Sequence, residues 1–66
     1  MLIQLNHRPY HCDDGATISS IMAENGFEFS YIIVKINGMV IEDAMWPETK
    51  VAAGDDIEMI HVFGGG

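Results

Sequence analysis

The sequence predicts an α+β protein in which one short helix packs on one face of a mixed sheet of four to five strands. Three observations support this prediction. Short apolar segments alternate with turn residues, which is typical of strands. A single segment repeats apolar residues at helical spacing. Finally, the pair Asn37-Gly38 lies between two apolar segments, as in a tight hairpin.

The amino-terminal part predicts a hairpin and then the helix. Residues 1–6 alternate, with Met1, Ile3 and Leu5 on one face, so they predict a strand with one buried face. We expect residues 6–9 to form the turn and residues 10–12 to form a short second strand. Thr17 is a suitable helix N-cap, and Asn25-Gly26 is a suitable end. The apolar stripe of this helix consists of Ile18, Ile21 and Met22.

The middle of the chain predicts the second hairpin. Residues 31–36 are β-branched, aromatic and nearly all apolar, which makes them the strongest strand signal in the sequence. Asn37-Gly38 follows at once, and residues 39–41 are apolar again. A type I′ turn requires positive φ at both central residues. We therefore expect a two-residue turn in which Gly38 has positive φ.

The carboxy-terminal part predicts an irregular segment and then a last strand. Residues 42–49 have no periodicity, and we expect Trp46 to anchor them. Residues 50–52 are interpreted as a short edge segment, and residues 57–63 as the last strand. That strand is apolar on both faces, through Met59 and Phe63 on one side and Ile60 and Val62 on the other. One helix covers only one face, so Ile60, Val62 and Phe63 predict a partner-binding surface unless the irregular segment covers them.

The order hairpin, helix, hairpin, strand predicts the arrangement of the sheet. The last strand is expected to lie beside the first, in the middle of a mixed sheet, with the helix on one face. This arrangement is the β-grasp, or ubiquitin-like, fold. We expect residues 1–63 to form this domain and residues 64–66 to form a flexible tail.

Composition excludes several classes of function. A chain of 66 residues has room for one domain, and its net charge of −7 disfavours nucleic acid and anionic membrane surfaces as partners. A cationic protein surface is the expected complement. No apolar run approaches the ~18 residues of a membrane span. Cys12 is the only cysteine and cannot form an internal disulfide, which favours the cytoplasm.

The three terminal glycines are the main functional signal. Gly64, Gly65 and Gly66 follow an apolar strand directly, and a backbone without side chains is thin and adaptable. Such a peptide, ending in a carboxylate, can enter a narrow active site on another protein. The alternative is a frayed end without function.

Other side chains give weak signals for chemistry. His11, Cys12 and Asp13 are adjacent, but neighbouring strand residues point to opposite faces and no second cluster supplies further ligands. We therefore predict no metal site and no catalytic residue. Cys12 has no activating arrangement in the sequence. His61 is interpreted as a strand residue rather than as a partner contact.

The whole chain resembles the ThiS family of thiamine-biosynthesis sulfur carriers. The residues that carry the resemblance are Ile3-Gln4-Leu5-Asn6, Val34-Lys35-Ile36-Asn37-Gly38, Trp46, Gly54-Asp55-Asp56-Ile57-Glu58 and Gly65-Gly66. Their order, together with the terminal diglycine, makes the resemblance fairly specific. The position before the diglycine is usually small in such carriers, and Gly64 fits that pattern.

The resemblance implies a carrier rather than an enzyme. A ubiquitin-activating-like partner would adenylate the Gly66 carboxylate with ATP, and Gly64 and Gly65 would enter its active site. Sulfur from a cysteine desulfurase system would then give a thiocarboxylate, which would supply a thiazole synthase. The protein itself would hold no permanent cofactor. The sequence agrees, because it lacks a phosphate-binding glycine-rich loop that opens a helix.

Two other classes of function stay open at this point. The same tail would serve another β-grasp carrier or a ubiquitin-like modifier, in molybdopterin or tungstopterin assembly, tRNA thiolation or protein conjugation. Alternatively, the chain is a plain β-grasp interaction domain with an inert tail.

Overall fold

Five strands form one mixed sheet that carries a single helix. The computed structural model describes residues 1–27 and 31–62. In chain order the elements are β1 (Leu2–Leu5), β2 (Arg8–His11), α1 (Ile18–Glu24), β3 (Ile32–Ile36), β4 (Met39–Ile41), a 3-10 turn (Asp43–Met45) and β5 (Asp56–His61). The strand order is β2-β1-β5-β3-β4. Strands β1 and β5 are parallel, and the other neighbours are antiparallel. The predicted central position of the last strand is confirmed.

Both hairpins close with two residues of positive φ. Asn37 and Gly38 have φ values of 50° and 85°, which confirms the predicted turn between β3 and β4. The first turn differs from the prediction, because it consists only of Asn6 and His7, at 50° and 67°. Strand β2 therefore begins at Arg8 and contains Pro9. Proline is tolerated there because β2 is an edge strand with a neighbour on one side only, so a missing N–H on the other side costs no hydrogen bond between strands.

Helix α1 begins and ends where the sequence predicts. The Thr17 hydroxyl accepts a hydrogen bond from the Ser20 N–H at 3.1 Å, and the Ser20 hydroxyl accepts one from the Thr17 N–H at 2.9 Å. This reciprocal pair is a capping box, although serine replaces the usual Glu or Gln. After the last turn, Gly26 has a φ of 69°, which suits its position just beyond Asn25.

The core lies between α1 and the sheet. Its fully buried side chains are Ile3, Ile18, Ile21, Met22, Val34 and Ile57. These residues come from the apolar stripe of the helix and from alternate positions of β1, β3 and β5. The alternation predicted for residues 1–6 is confirmed, since Ile3 and Leu5 are buried whereas Leu2 is exposed.

The irregular segment lies on the same side of the sheet as the helix. Trp46 is only 4% exposed and belongs to the core, as predicted for an anchor. Its carbonyl accepts a hydrogen bond from the Ser19 N–H at 3.2 Å. The predicted edge segment at residues 50–52 was wrong, because only an isolated bridge joins Lys50 to Thr17. Val51 is held instead by the loop before the helix, through a hydrogen bond of 3.0 Å to the Ala16 carbonyl.

Two strand boundaries differ from the prediction. Tyr31 has a φ of 63° and lies outside β3, which begins at Ile32. Strand β5 begins at Asp56, because Asp56 pairs with Gln4 of β1. Phe63 and the predicted boundary between residues 63 and 64 lie outside the described residues. Among the described residues, no helix is long and apolar enough to span a membrane.

Candidate functional site

The central strand β5 leads toward the glycine segment. It runs from Asp56 to His61 between β1 and β3, so it is paired on both sides along its first part. The backbone pairing continues one residue further, since the Val62 N–H donates to the Tyr31 carbonyl at 2.7 Å. The predicted site residues Gly64, Gly65 and Gly66 lie outside the described residues. The chain therefore reaches that segment from a strand fixed in the middle of the sheet.

The side of the sheet opposite the helix is uncovered among the described residues. The exposed hydrophobic side chains that alternation places on this side are Leu2, Ile33, Val40, Ile60 and Val62. We call this side the open face. The irregular segment packs beside the helix and leaves the open face uncovered. Of the three predicted partner-binding residues, Ile60 and Val62 lie on the open face and Phe63 lies outside the described residues.

Three apolar side chains of the open face are clustered at the end of β5. Ile60 pairs directly with Ile33 of β3, and Val62 follows two positions later on the same face. Each of the three is 40% exposed. We call Ile33, Ile60 and Val62 the tail-end patch. Ile33 was not among the residues predicted from the sequence, although the alternation of residues 32–36 could have identified it as an outward-facing position.

Tyr31 lies next to the tail-end patch and has an unusual backbone. It is 76% exposed, and its φ of 63° is rare for an aromatic residue. Its carbonyl accepts the hydrogen bond from Val62, which fixes its backbone beside the last described residue. Strained backbone of this kind is often found at functional sites. No signal in the sequence predicts the positive φ, because the region favours an extended strand.

Apart from Leu2 and Val40, the remainder of the open face is polar. Lys35 on β3 pairs in register with Glu58 on β5, and Gln4 on β1 pairs with Asp56. Opposite charges at facing positions of neighbouring strands are favourable. The open face thus changes from polar in its middle to apolar at the end where β5 leads to residues 63–66.

The candidate metal residues and Cys12 lie away from this end. Cys12 is buried, and its N–H donates to the Met1 carbonyl at 2.9 Å, at the start of β1. Because β1 and β5 are parallel, the start of β1 lies at the end of the sheet opposite the tail-end patch. In residues 1–27 and 31–62, no three His, Cys, Asp or Glu side chains form a group suited to a metal ion.

His61 lies on the side of the sheet that carries the helix. Its ring is tilted by 58° against the ring of Phe27, with the two centroids 5.6 Å apart. Alternation along β5 places it on the same side as the buried Ile57 and Met59. His61 is therefore engaged with the helix side rather than with the open face.

A cleft is present on the helix side, far from the glycine segment in sequence. It has a volume of about 560 Å³ and is lined by Ser19, Asp43, Ala44, Trp46 and Pro47. Asp43 is the one titratable side chain of this lining, so the cleft offers no pair of groups for acid–base chemistry. The open face and the end of β5 are the stronger candidate site.

The strand order, the parallel pairing of β1 with β5 and the single covering helix define a β-grasp protein. The ThiS family model matches residues 3–66, and the chain belongs to the ThiS family. The family predicted from the sequence is therefore confirmed.

Solved structures agree in fold along the whole chain. The crystal structure of the thiamine biosynthesis protein (ThiS) from Geobacter metallireducens is 26% identical, with a TM-score of 0.85 and complete coverage of both chains. The solution structure of a thiamine biosynthesis protein from the same organism is also 26% identical, with a TM-score of 0.78. That match covers all of this chain and 88% of the other.

Two curated proteins are also similar to this chain. A protein named thiazole synthase from Magnetococcus marinus is 29% identical over 66 residues, and the match covers the whole of this chain. The chain spans only 20% of that protein's length. An uncharacterized protein, ycf40, from Porphyra purpurea is 25% identical over 64 residues, and the match covers 90% of its length.

Proposed function

We propose that this chain is a sulfur carrier for the biosynthesis of the thiamine thiazole. One observation carries the proposal. In a member of the ThiS family, the central strand β5 leads beside an apolar patch into three consecutive glycines. The patch would dock on a partner, and residues 64–66 would extend into that partner's active site. Gly66 would present the reacting carboxylate.

The proposed chemistry begins with activation, because a free carboxylate is a poor electrophile. An oxygen of the Gly66 carboxylate attacks the α-phosphorus of ATP and pyrophosphate leaves, which gives an acyl-adenylate. The terminal sulfur of a cysteine persulfide then attacks the acyl carbon and AMP leaves. A thiol then attacks the cysteine sulfur of the resulting acyl disulfide. The S–S bond breaks, a new disulfide forms between that thiol and the cysteine, and the thiocarboxylate leaves. The partner and a cysteine desulfurase system supply the ATP site and the sulfur.

This division of labour agrees with the sequence and with the family. The chain has no glycine-rich loop of the type that holds the phosphates of ATP. The ThiS family consists of carriers rather than enzymes. We therefore assign the carboxylate to this chain and the nucleotide chemistry to an adenylating enzyme.

The similarity to part of a thiazole synthase supports a thiazole synthase as the protein that accepts the sulfur. That protein contains a segment similar to all of this chain within a polypeptide about five times as long. Linking a carrier to its acceptor raises their effective concentration, often to the millimolar range. We propose that this chain delivers its sulfur to a thiazole synthase.

The experiment is a loading reaction followed by intact mass measurement. The protein is incubated with an adenylating enzyme of the sulfur-carrier class, ATP, a cysteine desulfurase and cysteine. We expect the mass to rise by the replacement of one oxygen with sulfur, and the sulfur to map to Gly66. Gly65→Val should slow loading strongly, because a side chain widens the segment and restricts its φ. Deletion of Gly66 should abolish loading, because the new terminal carboxylate would lie one residue short of the reacting groups in the partner's active site.

Two controls make the result specific. Gly54→Ala changes a glycine in the turn before β5, and it should lower stability slightly but leave loading intact. Cys12→Ser removes the only thiol, and loading should persist, because buried Cys12 lies at the opposite end of the sheet. Loading of the Gly66 deletion at the wild-type rate, or sulfur found on Cys12, would contradict the proposal.

A further inference from the structure

The side chain of Asn6 acts on the strand that leads to the glycine segment. The parallel pairing of β1 with β5 consists of Gln4 with Asp56 and Leu5 with Ile57. The Asn6 N–H extends it by one hydrogen bond of 2.9 Å to the Ile57 carbonyl. The backbone of β1 then turns away from β5, because Asn6 and His7 form the hairpin turn. On this side, the backbone of β1 supports β5 no further than Ile57.

The Asn6 carboxamide replaces the missing strand residue. Its Oδ1 accepts a hydrogen bond from the Met59 N–H at 2.8 Å, and its Nδ2 donates one to the Met59 carbonyl at 3.2 Å. Both bonds are partly buried and join residues 53 positions apart in the chain. The side chain thus pairs with Met59 as a neighbouring strand would pair, with one donor and one acceptor.

Few other side chains meet the two requirements at this position. The backbone of residue 6 has a φ of 50°, which asparagine tolerates better than most residues. The side chain must also offer both a donor and an acceptor at short reach. Aspartate offers the acceptor but no donor, and glutamine is one methylene longer. Asparagine satisfies both requirements.

We propose that Asn6 is a positioning residue that steadies, from the β1 side, the end of β5 that leads to the glycine segment. Gly66 follows Met59 by seven positions. Without the carboxamide, the last support from the β1 side would move back from Met59 to Ile57. The end of β5 would then be held only from the β3 side, by pairing that continues to the Val62 N–H. The position of the terminal carboxylate would then be less defined. This role rests on the sulfur-carrier function proposed above.

Asn37 provides a matched control at the other end of β5. It also occupies the first position of a two-residue turn, with the same φ of 50°. Its Oδ1 accepts a hydrogen bond from the Asp56 N–H at 2.9 Å, and its Nδ2 donates to Asp55 Oδ1 at 3.1 Å. Asn37 therefore secures the beginning of the strand, and Asn6 secures the part that leads to the tail.

The test compares Asn6→Gly with Asn37→Gly. Glycine removes the carboxamide and still accepts positive φ, so neither change strains the turn. Amide hydrogen exchange should speed up at Met59 in Asn6→Gly by about tenfold or more, because that amide loses its acceptor. In Asn37→Gly, exchange at Met59 should be unchanged, whereas exchange at Asp56 should speed up.

The functional readout is the single-turnover rate of thiocarboxylate formation with saturating adenylating enzyme. The temperature is chosen so that all variants are fully folded. We expect the rate to fall about tenfold for Asn6→Gly, because even a small displacement of the carboxylate from the reacting groups lowers the rate strongly. For Asn37→Gly, the rate should fall by less than about twofold. Asn6→Asp keeps the acceptor and loses the donor, so its Met59 exchange and its loading rate should both be intermediate.

The outcomes separate the two proposals. Equal loading rates for Asn6→Gly, Asn37→Gly and the wild type would overturn the positioning role. Unchanged Met59 exchange in Asn6→Gly would overturn the contact on which that role depends. If Asn6→Gly does not fold, Asn6→Asp decides, and a wild-type loading rate in that variant overturns the role. Failure of the wild type to gain sulfur would overturn the sulfur-carrier function, and Met59 exchange would still report the Asn6 contact.

Discussion

The indole Nε1 of Trp46 donates a hydrogen bond of 2.9 Å to the carbonyl of Ile41, the last residue of β4. This bond and the burial of the indole draw the irregular segment onto the helix side of the sheet. The position of one aromatic residue therefore explains why the segment leaves the open face uncovered. A buried indole N–H with a partner is also the usual condition for tryptophan in a core.

Trp46→Phe tests the anchor. The substitution removes the donor and leaves the Ile41 carbonyl without it, so the free energy of unfolding should fall by about 1–3 kcal/mol. Urea denaturation followed by circular dichroism measures the change. The neighbouring Met45 is exposed, so Met45→Ala should stay within about 0.5 kcal/mol of the wild type. Equal losses for the two variants would contradict an anchoring role.

The Tyr10–Glu24 contact makes part of the stability depend on alkaline pH. The Tyr10 hydroxyl donates a hydrogen bond to the Glu24 carboxylate at 2.7 Å. That hydrogen bond first, and burial second, raise the pKa of Tyr10 above its ordinary value of 10.0. A raised pKa in the folded state means that the contact stabilises fully below pH ~10 and is lost as the pH rises through the raised pKa.

Tyr10→Phe should therefore be less stable than the wild type at pH 8, by less than about 1 kcal/mol because the pair is exposed. The difference should vanish or reverse above the raised pKa of Tyr10. Urea midpoints for both proteins from pH 8 to the alkaline limit of folding give the comparison. Glu24→Gln keeps an oxygen acceptor without its charge, so the pH dependence should weaken in that background. A difference that stays constant with pH would contradict the assignment.

The sequence predicted the elements whose signals are local. Asn37-Gly38 determined one hairpin because glycine and asparagine accept positive φ. Thr17 and Gly26 marked the ends of the helix because caps depend on neighbouring residues. Trp46 was predicted to anchor the irregular segment, and its burial agrees with that prediction.

The features missed from the sequence depend on contacts between distant residues. Asn6 gave only a turn signal, whereas its pairing with Met59 requires β1 and β5 to be neighbours already. The strand predicted at residues 50–52 failed because Val51 bonds to the loop before α1, which local propensity does not report. Tyr31 was assigned to a strand because tyrosine favours strands, but tertiary structure imposes a positive φ. Ile60 and Val62 of the candidate site were thus named from the sequence, and the alternation of β3 could have added Ile33. The position of Tyr31 beside Val62 depends on tertiary structure.

The net charge of −7 should guide encounter with a cationic partner. We expect the association rate with the adenylating enzyme to fall as salt increases, because the Debye length shortens from about 10 Å at 0.1 M to about 3 Å at 1 M. Stopped-flow fluorescence measures the rate. Glu58→Gln on the open face should slow association more than Asp14→Asn, which changes the net charge equally in the turn after β2. A rate independent of salt would show that the charge does not guide docking.

The tail-end patch should contribute more to docking than the rest of the open face. Ile60→Ser should raise the Kd for the adenylating enzyme about tenfold or more, because a central apolar contact is lost. Leu2→Ser, on the same face but at the opposite end, should change the Kd by less than about twofold. The two side chains are similarly exposed, at 40% and 44%, so their effects on stability should match. Isothermal titration calorimetry measures binding, and equal effects on binding would contradict the location of the contact.

Tyr31 should supply an aromatic anchor at the rim of this patch. Tyrosine is enriched among residues that dominate binding energy, and this one is largely exposed beside Val62. Its φ of 63° also costs free energy in the folded state. Tyr31→Asn removes the ring and suits positive φ, so the free energy of unfolding should stay equal or rise by up to about 1 kcal/mol.

The same variant should bind the adenylating enzyme about fivefold more weakly, which corresponds to about 1 kcal/mol. Tyr31→Phe retains the ring and should bind almost as the wild type does. Opposite changes in stability and binding distinguish a binding residue from a structural one, since loss of a structural residue would weaken both. Urea denaturation and calorimetry on the three proteins provide the measurement. If Tyr31→Asn binds as tightly as the wild type, the strained backbone at Tyr31 does not serve docking on this partner.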